Sequence, residues 1–215
     1  MKKANWTLCL IADVEAAGRR KMTSLIDKAV GAGATLVQLR SKKLSSRHFL
    51  ELALQTSEVL RRKNVPLIIN DRLDIALACD ASGVHLGQED LPLHLARKQL
   101  GGRRIIGITV NTAEEAIEAE SSGADYLGVG PVFFTPTKER LKPVLGLEGL
   151  RAIRKKVGIP ILAVGGINAE NAAEVMATGV DGIAVVSAIL GSKDVQAATR
   201  KLLRAIRNRR VKIKR

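Results

Sequence analysis

A chain of 215 residues, 46% of them apolar, is long enough to bury a substantial core and short enough to remain one domain. Aromatics make up only 2% (Trp6, Tyr126, Phe49, Phe133 and Phe134), so the core is aliphatic, the composition of parallel strands buried on both faces. The net charge of +14 invites a nucleic-acid reading, yet nine Lys and Arg with no acid fall between 200 and 215, so most of the excess is a tail, and a solvated charge run is the commoner meaning of such a segment.

Taken in chain order, short aliphatic runs alternate with longer stretches of helical period. The first run, "TLCLIA" at 7–12, follows an N-terminus that turns acidic at Asp13 before any signal-peptide core is long enough, and no later run reaches membrane-spanning length. The expectation is a cytosolic protein with no membrane partner. The runs continue as "TLVQLR" (35–40), "PLIIND" (66–71), "GVHLG" (83–87), "RIIGIT" (104–109), "DYLGVG" (125–130), "PILAVGG" (160–166) and "DGIAVVS" (181–187). Helices are predicted near 21–32, 45–63, 72–80, 92–100, 112–122, 147–156, 168–178 and 193–208. Ser45, Asn111 or Thr112, and Asn168 suit N-caps, Pro92 suits a first helical position, and Gly33, Gly123, Gly158 and Gly179 suit helix ends. Cys9 and Cys79 stand alone, at neither metal nor redox spacing, and read as small buried hydrophobes.

Eight strand–helix units predict a parallel sheet closed into a single (β/α)₈ barrel over 1–208, with residues 209–215 as a flexible basic tail. The other basic clusters, at 18–21, 61–63 and 151–156, are scattered and not interleaved with aromatics, which argues against a stacking platform for single strands. Nucleic acid is therefore not an expected partner, and nothing in the sequence bears on oligomeric state.

In a barrel of this kind the chemistry sits where the strands end and the βα loops converge. The unusual residues fall there. Asp71 closes strand 3 and Asp90 follows strand 4; strands lie about 4.8 Å apart, so both acids reach one mouth, and oxygen ligands without His or Cys suit Mg²⁺. Each acid equally suits a helix cap. Arg40, Lys42 and Lys138, from loops 2 and 6, suit a diphosphate. "VGGI" after strand 7 and "VVS" after strand 8 offer backbone N–H groups at Gly165 and Gly166 and the Ser187 hydroxyl to a second phosphate. His48 and His94 fall in helices, His85 lies within strand 4 and reads as packed, and no nucleophile stands at a spacing that pairs it with a base. "GVGP" at 128–131 lacks the rest of a dinucleotide fingerprint. Two facing anion sites imply two small phosphorylated substrates, and a reaction driven by departure of a metal-bound diphosphate needs no nucleophile–base pair, only charge neutralisation and positioning.

"QLRSK", "NDR", "GVHLGQED", "GIT", "GPVFFTPTK", "AVGGI" and "VVSAI", each closing a successive strand, resemble the thiamine-phosphate synthase family. The resemblance implies a transferase that joins hydroxymethylpyrimidine diphosphate to a thiazole phosphate with Mg²⁺, releasing pyrophosphate. It places the pyrimidine-diphosphate site on Gln38, Leu39, Arg40, Ser41, Lys42, Asn70, Thr109 and Lys138, with Lys138, Arg40 and Thr109 in the catalytic role. It places the metal on Asp71 and Asp90, and the thiazole phosphate on Thr135, Pro136, Thr137, Gly166, Val186 and Ser187. "FFTPTK" becomes a loop closing over the mouth, with Phe133 and Phe134 either shielding it from water or packing on the barrel rim.

Three positions depart from the family pattern. Ser41 stands where an acid is usual, Ser82 replaces the Asp of "ADGVHLGQ", and Thr109 replaces a common Ser while keeping its hydroxyl. The absent acid at 41 leaves the mouth more positive. The related thiazole tautomerases carry His where this chain has Pro131 and lack the diphosphate set; a phosphate- or RNA-binding barrel without catalysis is the alternative of another class.

Overall fold

The computed structural model describes residues 4–135 and 143–207. Its strands, β1 (Leu8–Asp13), β2 (Leu36–Arg40), β3 (Leu67–Asn70), β4 (Gly83–Leu86), β5 (Ile105–Val110), β6 (Tyr126–Val129), β7 (Ile161–Val164) and β8 (Gly182–Val185), pair in chain order, all parallel, and β8 returns to β1 to close the barrel. The helices are α1 (Val14–Ala17), α2 (Met22–Gly31), α3 (Ser46–Arg61), α4 (Leu73–Ala78), α5 (Leu93–Leu100), α6 (Ala113–Ser121), α7 (Gly146–Arg154), α8 (Ala172–Met176), α9 (Ser187–Leu190) and α10 (Val195–Arg207). The predicted barrel is present, with two single-turn helices, α1 and α9, that no helical period announces.

Alternation along each strand sorts the side chains. Leu10, Leu39, Ile69, Val84, Ile106 and Val129 face outward and pack under the helices in the main core. Cys9, Ile11, Leu36, Ile68, Tyr126 and Leu162 face inward and fill the barrel as a separate cluster, as barrel interiors of stacked side-chain layers do. Tyr126 is the one phenol in this aliphatic filling, and it is fully buried.

The closed end of the barrel is stitched by a repeating device. Thr35, Ser82, Asp125 and Asp181 each stand one position or so ahead of an even-numbered strand. The Thr35 hydroxyl accepts from the Leu8 amide (3.0 Å), Ser82 from Leu67 (3.3 Å), Asp125 from Ile106 (2.7 Å) and Asp181 from Ile161 (2.8 Å). The two carboxylates also take an arginine from a neighbouring helix, Arg97 at 2.6 Å and Arg154 at 3.0 Å. Ser82 thus keeps the acceptor that an Asp would supply, which accounts for that departure.

Several local expectations hold and others change. Ser45 and Thr112 cap α3 and α6 with their hydroxyls, and Gly33 and Gly123 follow helix ends with positive φ. Pro92 is the N-cap of α5, one position earlier than expected. Asn168 spends its side-chain carbonyl on the amides of Glu170 and Asn171 in a turn, so α8 starts at Ala172 behind Asn171. Gly158 lies beyond the C-cap of α7, Lys155, and its amide donates to Glu120 at 2.7 Å.

Candidate functional site

The strands deliver a run of polar groups to the open end of the barrel, around one cavity lined by Asp13, Gln38, Arg40, Asn70, Thr109 and Ser187 among others. On its first lip, Arg40 ends β2 opposite Asp13 in the register and pairs with it. Asp13 is almost fully buried and its second oxygen caps α1 at the Ala16 amide (2.8 Å), so the guanidinium is held by an anchored acid. Lys42 reaches Asp71 at 2.5 Å.

Asp71 takes a left-handed backbone, φ 62°, which Asp tolerates better than most residues. Its amide donates to the His85 carbonyl (2.8 Å), and neither it nor Asp90 caps a helix: the N-caps of α4 and α5 are Arg72 and Pro92. Asp90 folds back to accept from the Gly87 amide at 2.7 Å. Burial first, and then a hydrogen bond to the neighbouring Asp71, raise its carboxyl above the ordinary range. Two carboxyls pressed together beside a lysine fit a divalent cation, which relieves their repulsion and needs few protein ligands. Among the described residues no group of three or more His, Cys, Asp or Glu is gathered for a metal, so a cation held here would take its remaining ligands from water or substrate oxygens.

At the floor of the mouth a chain of hydrogen bonds runs across the barrel. The Tyr126 hydroxyl, bonded to Gln38, lies 2.8 Å from His85 Nδ1, and His85 Nε2 lies 2.8 Å from Thr109 Oγ1. Gln88 holds the same threonine from behind, at its carbonyl oxygen (2.6 Å). Burial pushes the tyrosine far up its range, so it stays a neutral phenol. The glycines make the room: a Cβ on Gly107 falls 2.1 Å from the Tyr126 ring and 2.5 Å from His85 Nδ1, and one on Gly128 falls 2.8 Å from the imidazole.

The second lip is built on loops 6, 7 and 8. Gly165 and Gly166 have φ of 98° and 64°, and a Cβ on Gly166 would meet the Phe134 carbonyl at 2.6 Å, so this turn needs glycine both for its backbone angle and for space. Asn171 fixes it by donating to the Gly166 carbonyl (3.0 Å). The segment after β6 lies across it, the Val132 and Phe133 amides donating to the carbonyls of Val164 (2.9 Å) and Gly165 (3.1 Å). Phe133 packs on the core, while Phe134 is 68% exposed. Val186 and Ser187 open α9 on the cavity wall, with Thr135 nearby.

Gln38, Arg40, Asn70, Thr109, Thr135, Gly166, Val186 and Ser187 therefore share one cavity, while Lys42, Asp71 and Asp90 lie on the loops that follow its lining residues Arg40, Asn70 and His85. Leu39 lies between two of them but sends its side chain into the outer core. Pro136, Thr137 and Lys138 lie outside the described residues. His85, read from sequence as packed, is buried but faces the cavity through Thr109. Asp13, Glu15, Tyr126 and Asn171 were missed. For Asp13 a signal existed: strand 1, like β2 and β3, ends in a polar residue. Cys9, its thiol pushed up to about 12 by burial, offers no nucleophile near neutral pH.

The comparisons with known proteins agree with this geometry. The family model described as thiamine monophosphate synthase matches residues 8–189. A thiamine-phosphate synthase of Clostridium novyi is 52% identical over 198 residues, spanning 92% of this chain and 97% of its own. One from Syntrophomonas wolfei is 50% identical over 202 residues, 94% and 97% of the two chains. The solved thiamine phosphate pyrophosphorylase of Pyrococcus furiosus superposes with a TM-score of 0.87 at 41% identity, covering 95% of this chain and 97% of that one. The chain belongs to the thiamine monophosphate synthase family and is a transferase of thiamine biosynthesis that makes thiamine phosphate.

Proposed function

We propose that the first lip binds hydroxymethylpyrimidine diphosphate, that the second binds the phosphate of a thiazole phosphate, carboxylated or not, and that the two react across the mouth. The reading is supported by one cavity lined by Arg40, Asn70, the Gly165–Gly166 turn and Ser187, together with Lys42, which meets Asp71, and Asp90, which bonds to Asp71, on the loops that follow β2, β3 and β4. The amides of Gln38 and Asn70, which both donate and accept, orient the pyrimidine edge. Arg40, Lys42 and Lys138 neutralise charge on the departing diphosphate. The C–O bond breaks with its electron pair leaving on pyrophosphate, the aminopyrimidine stabilises the cationic CH₂, and the thiazole nitrogen lone pair forms the new C–N bond. No protein nucleophile is required. Thr109, oriented by His85, directs its hydroxyl at the reacting centre. Thr135, Pro136, Thr137, Gly166, Val186 and Ser187 hold the thiazole phosphate so that the nitrogen faces the CH₂ group, and water, which would trap the cation, is kept out.

Asp71 and Asp90 would hold Mg²⁺, which when bound supplies charge neutralisation at diphosphate oxygens. Small phosphorylated substrates suffice as partners, and no nucleic acid is required; among the described residues no helix is long and apolar enough to cross a membrane. We place the protein in the cytosol, as suits a transferase of thiamine biosynthesis.

Steady-state kinetics with both substrates, with and without Mg²⁺, test the assignment. Metal-dependent release of pyrophosphate and thiamine phosphate is expected, with Arg40→Ala raising KM for the pyrimidine diphosphate and Ser187→Ala raising KM for the thiazole phosphate, each by tenfold or more, ~1.4 kcal/mol of lost binding. Metal-independent turnover, or both variants moving the same KM, would overturn it.

A further inference from the structure

Where the family pattern carries an acid, this chain has Ser41, and the structure brings an acid to the same turn from another element. Glu15, on α1, accepts from the Ser41 hydroxyl at 2.7 Å, from the Lys42 amide at 3.2 and 3.3 Å and from the Lys43 amide at 3.2 Å. The Ser41 oxygen in turn accepts from the amides of Lys43 (3.3 Å) and Leu44 (3.1 Å). The amides of Lys42, Lys43 and Leu44 in the turn that follows β2 are thereby aimed at one carboxylate or at the hydroxyl it holds. Burial pushes the Glu15 carboxyl up, but the hydrogen bonds from Ser41 and the two amides outweigh it and leave it below its ordinary range.

The element that carries Glu15 is itself braced. Asp13, two residues earlier, caps α1 and pairs with Arg40. Arg20 donates to the Ala17 carbonyl (3.1 Å) and to the carbonyls of Leu190 and Ser192 at the far end of α9. Loop 2 is thus clamped to α1 on both sides of the cationic pair: Asp13 holds Arg40, and Glu15 holds the backbone from which Lys42 projects toward Asp71 at 2.5 Å.

We propose that Glu15 is a positioning residue for the diphosphate-bearing substrate, fixing the 41–43 turn so that Lys42 is presented to the mouth. This rests on the placement of that substrate on the first lip. A flexible turn would present the same lysine only part of the time, and the ordering would be taken from substrate binding.

The test is a double-mutant cycle in the full-length protein, read as separate KM values for the two substrates. Glu15→Ala is expected to raise KM for the pyrimidine diphosphate by about tenfold, as expected for hydrogen bonds to a charged group, with KM for the thiazole phosphate within about twofold. Ser41→Asp alone sets a second carboxylate against Glu15 and is expected to raise the same constant. Glu15→Ala with Ser41→Asp leaves one carboxylate, able to accept from the amides of Lys43 and Leu44, and is expected to recover to within about threefold of the parent. Glu15→Gln, which keeps size and one acceptor oxygen, moves the same KM in the same direction if Glu15→Ala does not fold. Lys42→Ala separates the two claims: if it leaves KM for the pyrimidine diphosphate unmoved, the lip assignment fails. If Lys42→Ala raises it while the Glu15 variants do not, or the double variant shows no rescue, the role of Glu15 is overturned.

Discussion

Thr109 has one rotatable bond between backbone and hydroxyl, and what fixes that bond lies two residues away through space. His85 meets the Tyr126 hydroxyl at Nδ1 and Thr109 at Nε2, so the buried phenol sets the imidazole and the imidazole sets the hydroxyl. Tyr126→Phe keeps the ring that packs against Trp6 at 4.7 Å and leaves His85 Nδ1 without the phenol. The expected outcome is a stability loss of ~1–3 kcal/mol by thermal unfolding and a fall in kcat/KM of about tenfold, ~1.4 kcal/mol. Unchanged kcat/KM would mean that Thr109 is oriented independently of the phenol. This chain was not legible from sequence: the aligned partners His85, Gly107 and Tyr126 become neighbours only through the registers of β4 with β5 and of β5 with β6. By contrast the residue types at Arg40, Asp71, Asp90 and Ser187 were legible because each sits at the end of a strand or within four residues after it.

At the scale of elements, all eight strands were visible as aliphatic runs between glycine and polar punctuation. The two single-turn helices were not, since four residues do not complete a recognisable period. That is why Glu15 escaped notice: α1 reads as a loop, and its acid meets loop 2 only in three dimensions. The acceptors that precede even-numbered strands were equally hidden, being of three residue types that share one task. Asp125 shows its weight. Asp125→Ala removes both the acceptor for the Ile106 amide and the partner of Arg97, and should lower stability by ~2 kcal/mol, hence Tm by ~4–8 °C in a chain of this size. Its position at the closed end implies unchanged kcat and KM at 25 °C. A change in kinetics without a change in Tm would contradict the structural role.

The whole molecule separates two duties along the barrel axis. The closed end, laced by Thr35, Ser82, Asp125 and Asp181, holds the sheet in register. The aliphatic interior with its single phenol forms the floor, and the open end gathers cations, carboxylates and glycine turns that are costly for stability and useful for binding. The α1 and α9 segments join its two lips, since Arg20, three residues past α1, bonds to the carbonyls of Leu190, which ends α9, and of Ser192, just beyond it. The central claim is that one lip holds diphosphate and the other the thiazole phosphate. A crystal structure of the protein with thiamine phosphate, pyrophosphate and Mg²⁺ tests it most directly. Pyrophosphate is expected against Arg40, Lys42, Asp71 and Asp90, with the phosphate of thiamine phosphate at Gly166 and Ser187. Pyrophosphate seated at Gly166 and Ser187, or both phosphorylated products on one lip, would contradict it.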